Sequence, residues 1–167
     1  MTDPARNDAR WRLHHEIIRP EWVDYNGHMN VAYYVLIFDH ATDAVLDTLD
    51  LGEAYRRRSG RSIFVAEAHV TYERELREGA HVAIDSRLIG CDDKRLILFH
   101  EMTHPDAGGP AATNEVLCVH VDLAARRSAP MPPDAAARLR ETMMRHTRAG
   151  LPRRAGRAIG LGVRRPG

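Results

Sequence analysis

The chain has 167 residues and a mass of 18.8 kDa, the size of one domain. Its 24 basic and 23 acidic residues leave a formal charge of +1, which argues against a nucleic-acid protein that works by bulk charge. Lys94 is the only lysine, so the basic side is almost entirely arginine. Hydrophobic content of 44% with 28% charged residues is ordinary globular composition, and disorder is expected only at the ends. The first residues, MTDPARNDAR, hold no apolar core of a secretory signal, and no apolar run approaches membrane-spanning length. Cys91 and Cys118 stand 27 apart with no CxxC, so neither a disulfide framework nor a cysteine-rich zinc site is expected. Two buried free thiols in a reducing cytoplasm is the expectation.

In chain order, residues 1–10 read as a frayed polar end. The stretch 12–19 (RLHHEIIR) can form a strand, which Pro20 stops. Residues 21–30 (EWVDYNGHMN) are rich in turn formers, and Asn30 is an N-cap candidate. Residues 31–49 predict a helix whose first half, Tyr33 to Phe38, is apolar nearly all round and hence buried. Leu51-Gly52 suits its stop, and YRRRSG (55–60) is a basic loop or short helical continuation.

From Arg61 the period changes to two. Residues 62–74, 81–89, 95–103 and 114–124 predict four strands, the last with Leu117, Val119, Val121 and Leu123 on one face. Gly79 marks one turn and Cys91-Asp-Asp-Lys94 another, with 104–112 a loop. Pro133 favours a helix start, over about 134–147. Residues 150–167 carry five arginines and no acid and read as a tail. Four sequential strands on short turns predict an antiparallel meander, with the apolar helix as its cover, in an α+β layer. A single domain over 1–149 with an arginine-rich tail at 150–167 is the expected organisation.

HEMTH (100–104) matches the H-E-x-x-H zinc pattern, which needs a helix to bring both histidines to one face. Here the surroundings are strand-like and Pro105 disfavours helix at His104. Residues four apart in a strand lie about 13 Å from each other, too far for one ion. No nucleophile elbow, P-loop or dinucleotide fingerprint is present.

The dense polar cluster is Asp24-Tyr25-Asn26-Gly27-His28-Met29-Asn30, immediately before the apolar helix. A helix start aims free N–H groups and partial positive charge outward, and a carbonyl oxygen there is stabilised as it becomes an oxyanion. A carboxylate facing that carbonyl can attack it or activate water. The same residues also read as nothing more than a capped, glycine-containing turn.

WVDYNGHMN followed by AYY resembles the D-x-x-G-H-x-N motif of hotdog-fold acyl-CoA thioesterases of the 4-hydroxybenzoyl-CoA thioesterase type. EAHVTYERELREG resembles that family's second strand and turn, and the likeness covers roughly residues 12–127. EWVDYNGHMNVAYY, with RAGRAIGL at 154–161, more closely resembles the carnitine-catabolism branch, the betainyl-CoA thioesterases. The resemblance implies a hotdog fold, an antiparallel sheet wrapped around a central buried helix. It implies Asp24 as the catalytic carboxylate, with His28 and Asn30 holding the loop or the attacking water. Amides near Ala32 and Tyr33 would polarise the thioester carbonyl. Sites of this family lie at a dimer interface, so a group from the second strand, Glu67, is a candidate to complete the site, alongside its plainer role as an arginine-paired strand carboxylate. His69 reads as an ordinary strand histidine.

A betaine acyl group needs desolvated recognition of its quaternary ammonium, and aromatic faces offer it. Trp22, Tyr25, Tyr33 and Tyr34 surround the motif, with Asn26 beside them, although packing of the helix also accounts for the tyrosines. Arg56, Arg57, Arg58 and Arg61, or Arg153, Arg154 and Arg157, could meet the phosphates of coenzyme A, or could simply be solvated. The expectation is an acyl-CoA thioester hydrolase for a short polar or cationic acyl group, in a cytoplasmic homodimer or homotetramer. No cofactor, metal, nucleic acid or membrane is expected. A thioesterase for aryl or medium-chain acyl-CoA is the alternative in the same class, and a non-catalytic acyl-CoA-binding protein one in another. No hydratase-type D-x-N-x-x-H pattern is present.

Overall fold

The computed structural model describes residues 6, 7, 9–105 and 108–160. Its elements in chain order are β1 (Arg6–Asn7), β2 (Arg10–Ile17), a 3-10 turn (Pro20–Trp22), α1 (Val31–Thr48), α2 (Glu53–Ser59), β3 (Arg61–Tyr72), β4 (His81–Cys91), β5 (Arg95–Thr103), β6 (Pro110–Asp122), β7 (Arg127–Ser128) and α3 (Pro133–Thr147). One antiparallel sheet runs β1-β2-β4-β5-β6-β3, with β7 paired to the end of β6. The α+β hotdog architecture follows, with α1 laid on the sheet.

Three sequence expectations are corrected here. Arg6 and Asn7 pair with β2, so that part of the N-terminal stretch is strand; residues 1–5 and 8 lie outside the described residues. The four long strands are also not a simple meander: β4, β5 and β6 are, but β3 pairs with β6 at the far edge. The reason is the eight-residue link 73–80, too long for a tight hairpin turn. Glu73 and Arg74 donate their N–H groups to the Ala111 carbonyl, Met29 donates to Leu76, and the link ends paired with Ile18 through Ala80 and Gly79. β6 begins at Pro110, four residues before the expected start, because Thr103 and Met102 continue the ladder to Pro110 and Ala112.

Residue spacing explains how α1 packs. Tyr34, Ile37, Phe38, Ala41, Thr42, Val45 and Leu46 form the buried stripe at helical spacing. The first half is not buried all round: Val31, Val35 and Leu36 are exposed on the opposite side. Nor is α1 the only cover. Ala135 and Leu139 of α3 join Val45, Leu46, Leu88 and Leu96 in one apolar cluster, and the His146 ring lies edge-on to Trp11 at 4.3 Å.

His100 of the HEMTH sequence is on β5, wholly buried, with Nδ1 at 2.8 Å from Ser86 Oγ and Nε2 at 3.1 Å from Thr42 Oγ1. It ties sheet to helix, and burial pushes its pKa down to about 3. Cys118 is buried, which pushes its thiol up to about 12, whereas Cys91 is half-buried, contrary to the expectation for that thiol. The hairpin turn after Cys91 forms as its residues suggest, with Asp92 Oδ1 accepting from the N–H groups of Lys94 and Arg95.

The first part of the arginine-rich tail lies against the domain. Arg154 makes a two-pronged bond to Glu73, both contacts at 2.7 Å, and the Gly156 N–H donates to Glu115 at 2.6 Å. Residues 161–167 are outside the described residues.

Candidate active site

The polar cluster folds as a small hairpin. Val23 pairs with Met29, Asp24 N–H donates to the His28 carbonyl, and Gly27 N–H donates back to the Asp24 carbonyl at 2.9 Å. Asp at the first position and Gly at the fourth suit this turn, and Gly27 has φ +82°, a conformation only glycine adopts freely. Asp24 Oδ1 accepts from Asn26 N–H at 2.8 Å, an Asx turn that fixes the carboxylate within the loop. Among the described residues no hydrogen bond or ion pair engages Oδ2. Asn30 N–H donates to the Trp22 carbonyl, so the hairpin leads straight into the helix.

Asn30 is the N-cap. Its Oδ1 accepts from Ala32 N–H at 3.0 Å, and its carbonyl accepts from Tyr33 N–H at 3.0 Å. The two amides expected to polarise a carbonyl are thus already occupied, because an N-cap side chain takes up one of the first orphan donors. Val31 N–H, at the very start of α1, is the first-turn amide that neither bond uses. The positive end of the helix macrodipole, built on 18 residues, lies behind it.

The remaining expected residues divide. His28 Nε2 is 3.2 Å from Glu75 Oε2, so an acid from the 73–80 link holds it. Glu75 was not singled out in the sequence, where it is one of several charges in a turn region. Trp22 is buried, stacked on Tyr33 at 5.2 Å with planes 17° apart, and the Arg19 guanidinium lies 4.8 Å from its ring centre. Tyr34 is also buried, its hydroxyl donating to the Arg74 carbonyl and its ring edge-on to Tyr72. Tyr25, by contrast, is 98% exposed at the loop tip. Within one chain, then, the four aromatics do not close around a common point. Asn26, next to Tyr25, is exposed and is fixed through its backbone by Asp24.

Glu67 is exposed on β3, opposite Leu117 and just past a bulge after Val65. β3 is the sheet edge, and Phe64 and Val65 beside it are about half exposed. The arginine clusters are largely paired: Arg57 with Glu53, Arg58 with Asp50, Arg61 with Asp122 at 3.9 Å, and Arg154 with Glu73.

Comparison with known proteins identifies the family and the fold. The family model described as the thioesterase-like superfamily matches residues 18–139. Among curated proteins, the betainyl-CoA thioesterase of Pseudomonas aeruginosa is 40% identical over 144 residues, covering 86% of this chain and 91% of that protein. The L-carnitine dehydrogenase/betainyl-CoA thioesterase of Agrobacterium fabrum is 40% identical over 126 residues, 75% of this chain but 26% of that longer protein. Among solved structures, a Staphylococcus aureus protein in complex with CoA superposes with a TM-score of 0.82 at 27% identity, covering 91% of this chain and 96% of that one. The chain belongs to the thioesterase-like superfamily and has its hotdog fold.

Proposed function

We propose that this chain hydrolyses the thioester of betainyl-CoA, releasing betaine and the free thiol of coenzyme A. The observation that carries it is the Asp24 hairpin running directly into the Asn30-capped start of α1, in a chain 40% identical to a betainyl-CoA thioesterase over nearly that protein's whole length. The carbonyl oxygen of the thioester takes the Val31 N–H, with the helix dipole stabilising charge as it develops. Asp24, through Oδ2, activates water or attacks the carbonyl carbon. Asn30 holds the helix start, and His28, braced by Glu75, holds the loop. The thiolate is a good leaving group, so the reaction needs no cofactor or metal in this scheme. Tyr33 and the exposed Tyr25 offer aromatic surface toward the cationic acyl end, with the buried Trp22 stacked behind Tyr33.

A second copy of the chain completes the site. Among the described residues, the 12-residue edge strand β3 pairs on one side only, with β6, and it carries exposed Phe64 and Val65, features that favour pairing with another strand. Such pairing carries Glu67 of one copy toward the other and gives a homodimer or homotetramer. The described helices include none long and apolar enough to cross a membrane, and a cytoplasmic enzyme of carnitine breakdown fits these features.

Thiol release measured over betainyl-, aryl- and medium-chain acyl-CoA decides the matter. Betainyl-CoA is expected to have the highest kcat/KM by tenfold or more. Equal rates on neutral substrates reject the cationic specificity, and tight binding without thiol release rejects catalysis.

A further inference from the structure

β2 changes face in mid-strand. Arg12 pairs with Asp85 and His14 with Ile84, so Leu13 is an inserted bulge residue. Trp11 and the bulge residue Leu13 pack in one apolar cluster and Ile18 in a second; between them His14 and Glu16 are half-buried, while His15 and Ile17 are exposed. The bulge therefore aims a histidine and a glutamate, two residues apart, at the middle of α1. There they meet His40.

We infer that His14, Glu16 and His40 form a binding site for a single divalent transition-metal ion of the zinc type. The ligand atoms of the three residues lie within 4.8 Å of one another. His14 Nε2 is 3.5 Å, and His40 Nδ1 3.9 Å, from Glu16 Oε2. Ligand atoms about 2.0–2.2 Å from a tetrahedral zinc ion stand roughly 3.3–3.6 Å apart, so the 3.5 and 3.9 Å separations need only a small inward movement of the side chains. Two imidazoles and one carboxylate are a three-ligand set that leaves a fourth position for water. Glu16 is turned to serve both neighbours: Arg19 lies 3.7 Å from Oε1, leaving Oε2 toward the histidines. His14 Nε2 is buried with no well-formed hydrogen bond among the described residues, its nearest acceptor being Glu16 Oε2 at 3.5 Å, and a bound cation would satisfy it. His40, 42% exposed, provides the route of entry from solvent.

The site is about 15 Å along α1 from its start, so the ion clamps helix to sheet without touching the proposed reaction centre. Its existence does not depend on the substrate. The test is zinc titration of the chelator-treated protein, followed by calorimetry and thermal melting. One ion per chain is expected, with Tm rising by about 5–10 °C at a hundredfold excess over Kd. His40→Ala and Glu16→Gln, at partly exposed positions, should lose the saturable uptake and the shift, and His15→Ala, one residue away but facing outward, should keep both. Absence of uptake in the unaltered protein, or uptake undiminished in His40→Ala and Glu16→Gln, overturns the site.

Discussion

Replacing Asp24 by asparagine separates chemistry from folding. An asparagine Oδ1 accepts the Asn26 N–H as the carboxylate does at 2.8 Å, so the Asx turn and the hairpin around Gly27 survive. What disappears is the negative charge, the basicity and the nucleophilic oxygen. Loss of a charge near a helix start costs at most about 1 kcal/mol of stability, or roughly 2–4 °C in Tm for a chain of this length. Loss of the acid–base or nucleophilic element lowers kcat/KM by about 10² or more, which is about 2.7 kcal/mol of transition-state stabilisation. Thiol release from betainyl-CoA, monitored beside thermal melting of the same preparation, measures both. An Asp24→Asn variant that melts normally and keeps more than about a tenth of wild-type kcat/KM would refute the role given to this carboxylate.

Asn30→Ala removes the bond to Ala32 N–H and should cost about 1 kcal/mol, seen as a Tm fall of roughly 2–4 °C, while Asn30→Asp, another good cap, should retain most of it. Burial depresses His100 to about 3 and His146 to about 4, so both stay neutral in the folded chain where the unfolded chain protonates near 6.5. Their contribution is complete above that pH and is lost as pH falls, by up to about 1.4 kcal/mol per histidine per pH unit; denaturant unfolding between pH 6.5 and 5 checks this, and a flat profile contradicts it. Arg154→Ala releases the Glu73 contact at a cost below about 1 kcal/mol, and trypsin should then cut at Arg153 and Arg157 faster with little change in Tm.

Local chemistry was the legible part of the sequence. Asn30 before an apolar helix, Gly27 in a polar turn, and Asp92 in the hairpin each announce a conformation through their own side chain or lack of one, and each adopts it. Strand neighbours were less legible, because alternation along β3 says that it is half-buried but not which strand it pairs with. The position of β3 follows from the link after it, whose anchors at Ala111, Met29 and Ile18 are backbone bonds with no residue signature. The occupied amides of Ala32 and Tyr33 were implicit in the cap itself, since a capping side chain consumes a first-turn donor. Glu75 could not be picked out, because its importance comes only from the fold bringing it 3.2 Å from His28. The aromatics were misleading for a similar reason: closeness in sequence around a turn and a helix start sends Tyr25 outward and Tyr34 inward.

The 73–80 link crosses three strand spacings, about 14 Å, between the ends of β3 and β4. Along the way it supplies Leu76 to Met29, Arg74 to the Tyr34 hydroxyl and Glu75 to His28. The floor under the motif is thus a bridge whose piers are separated by two intervening strands, β5 and β6. Lengthening or shortening it by a residue would tilt that floor while leaving every residue of the motif unchanged, giving this scaffold a way to reposition the Asp24 hairpin from outside it.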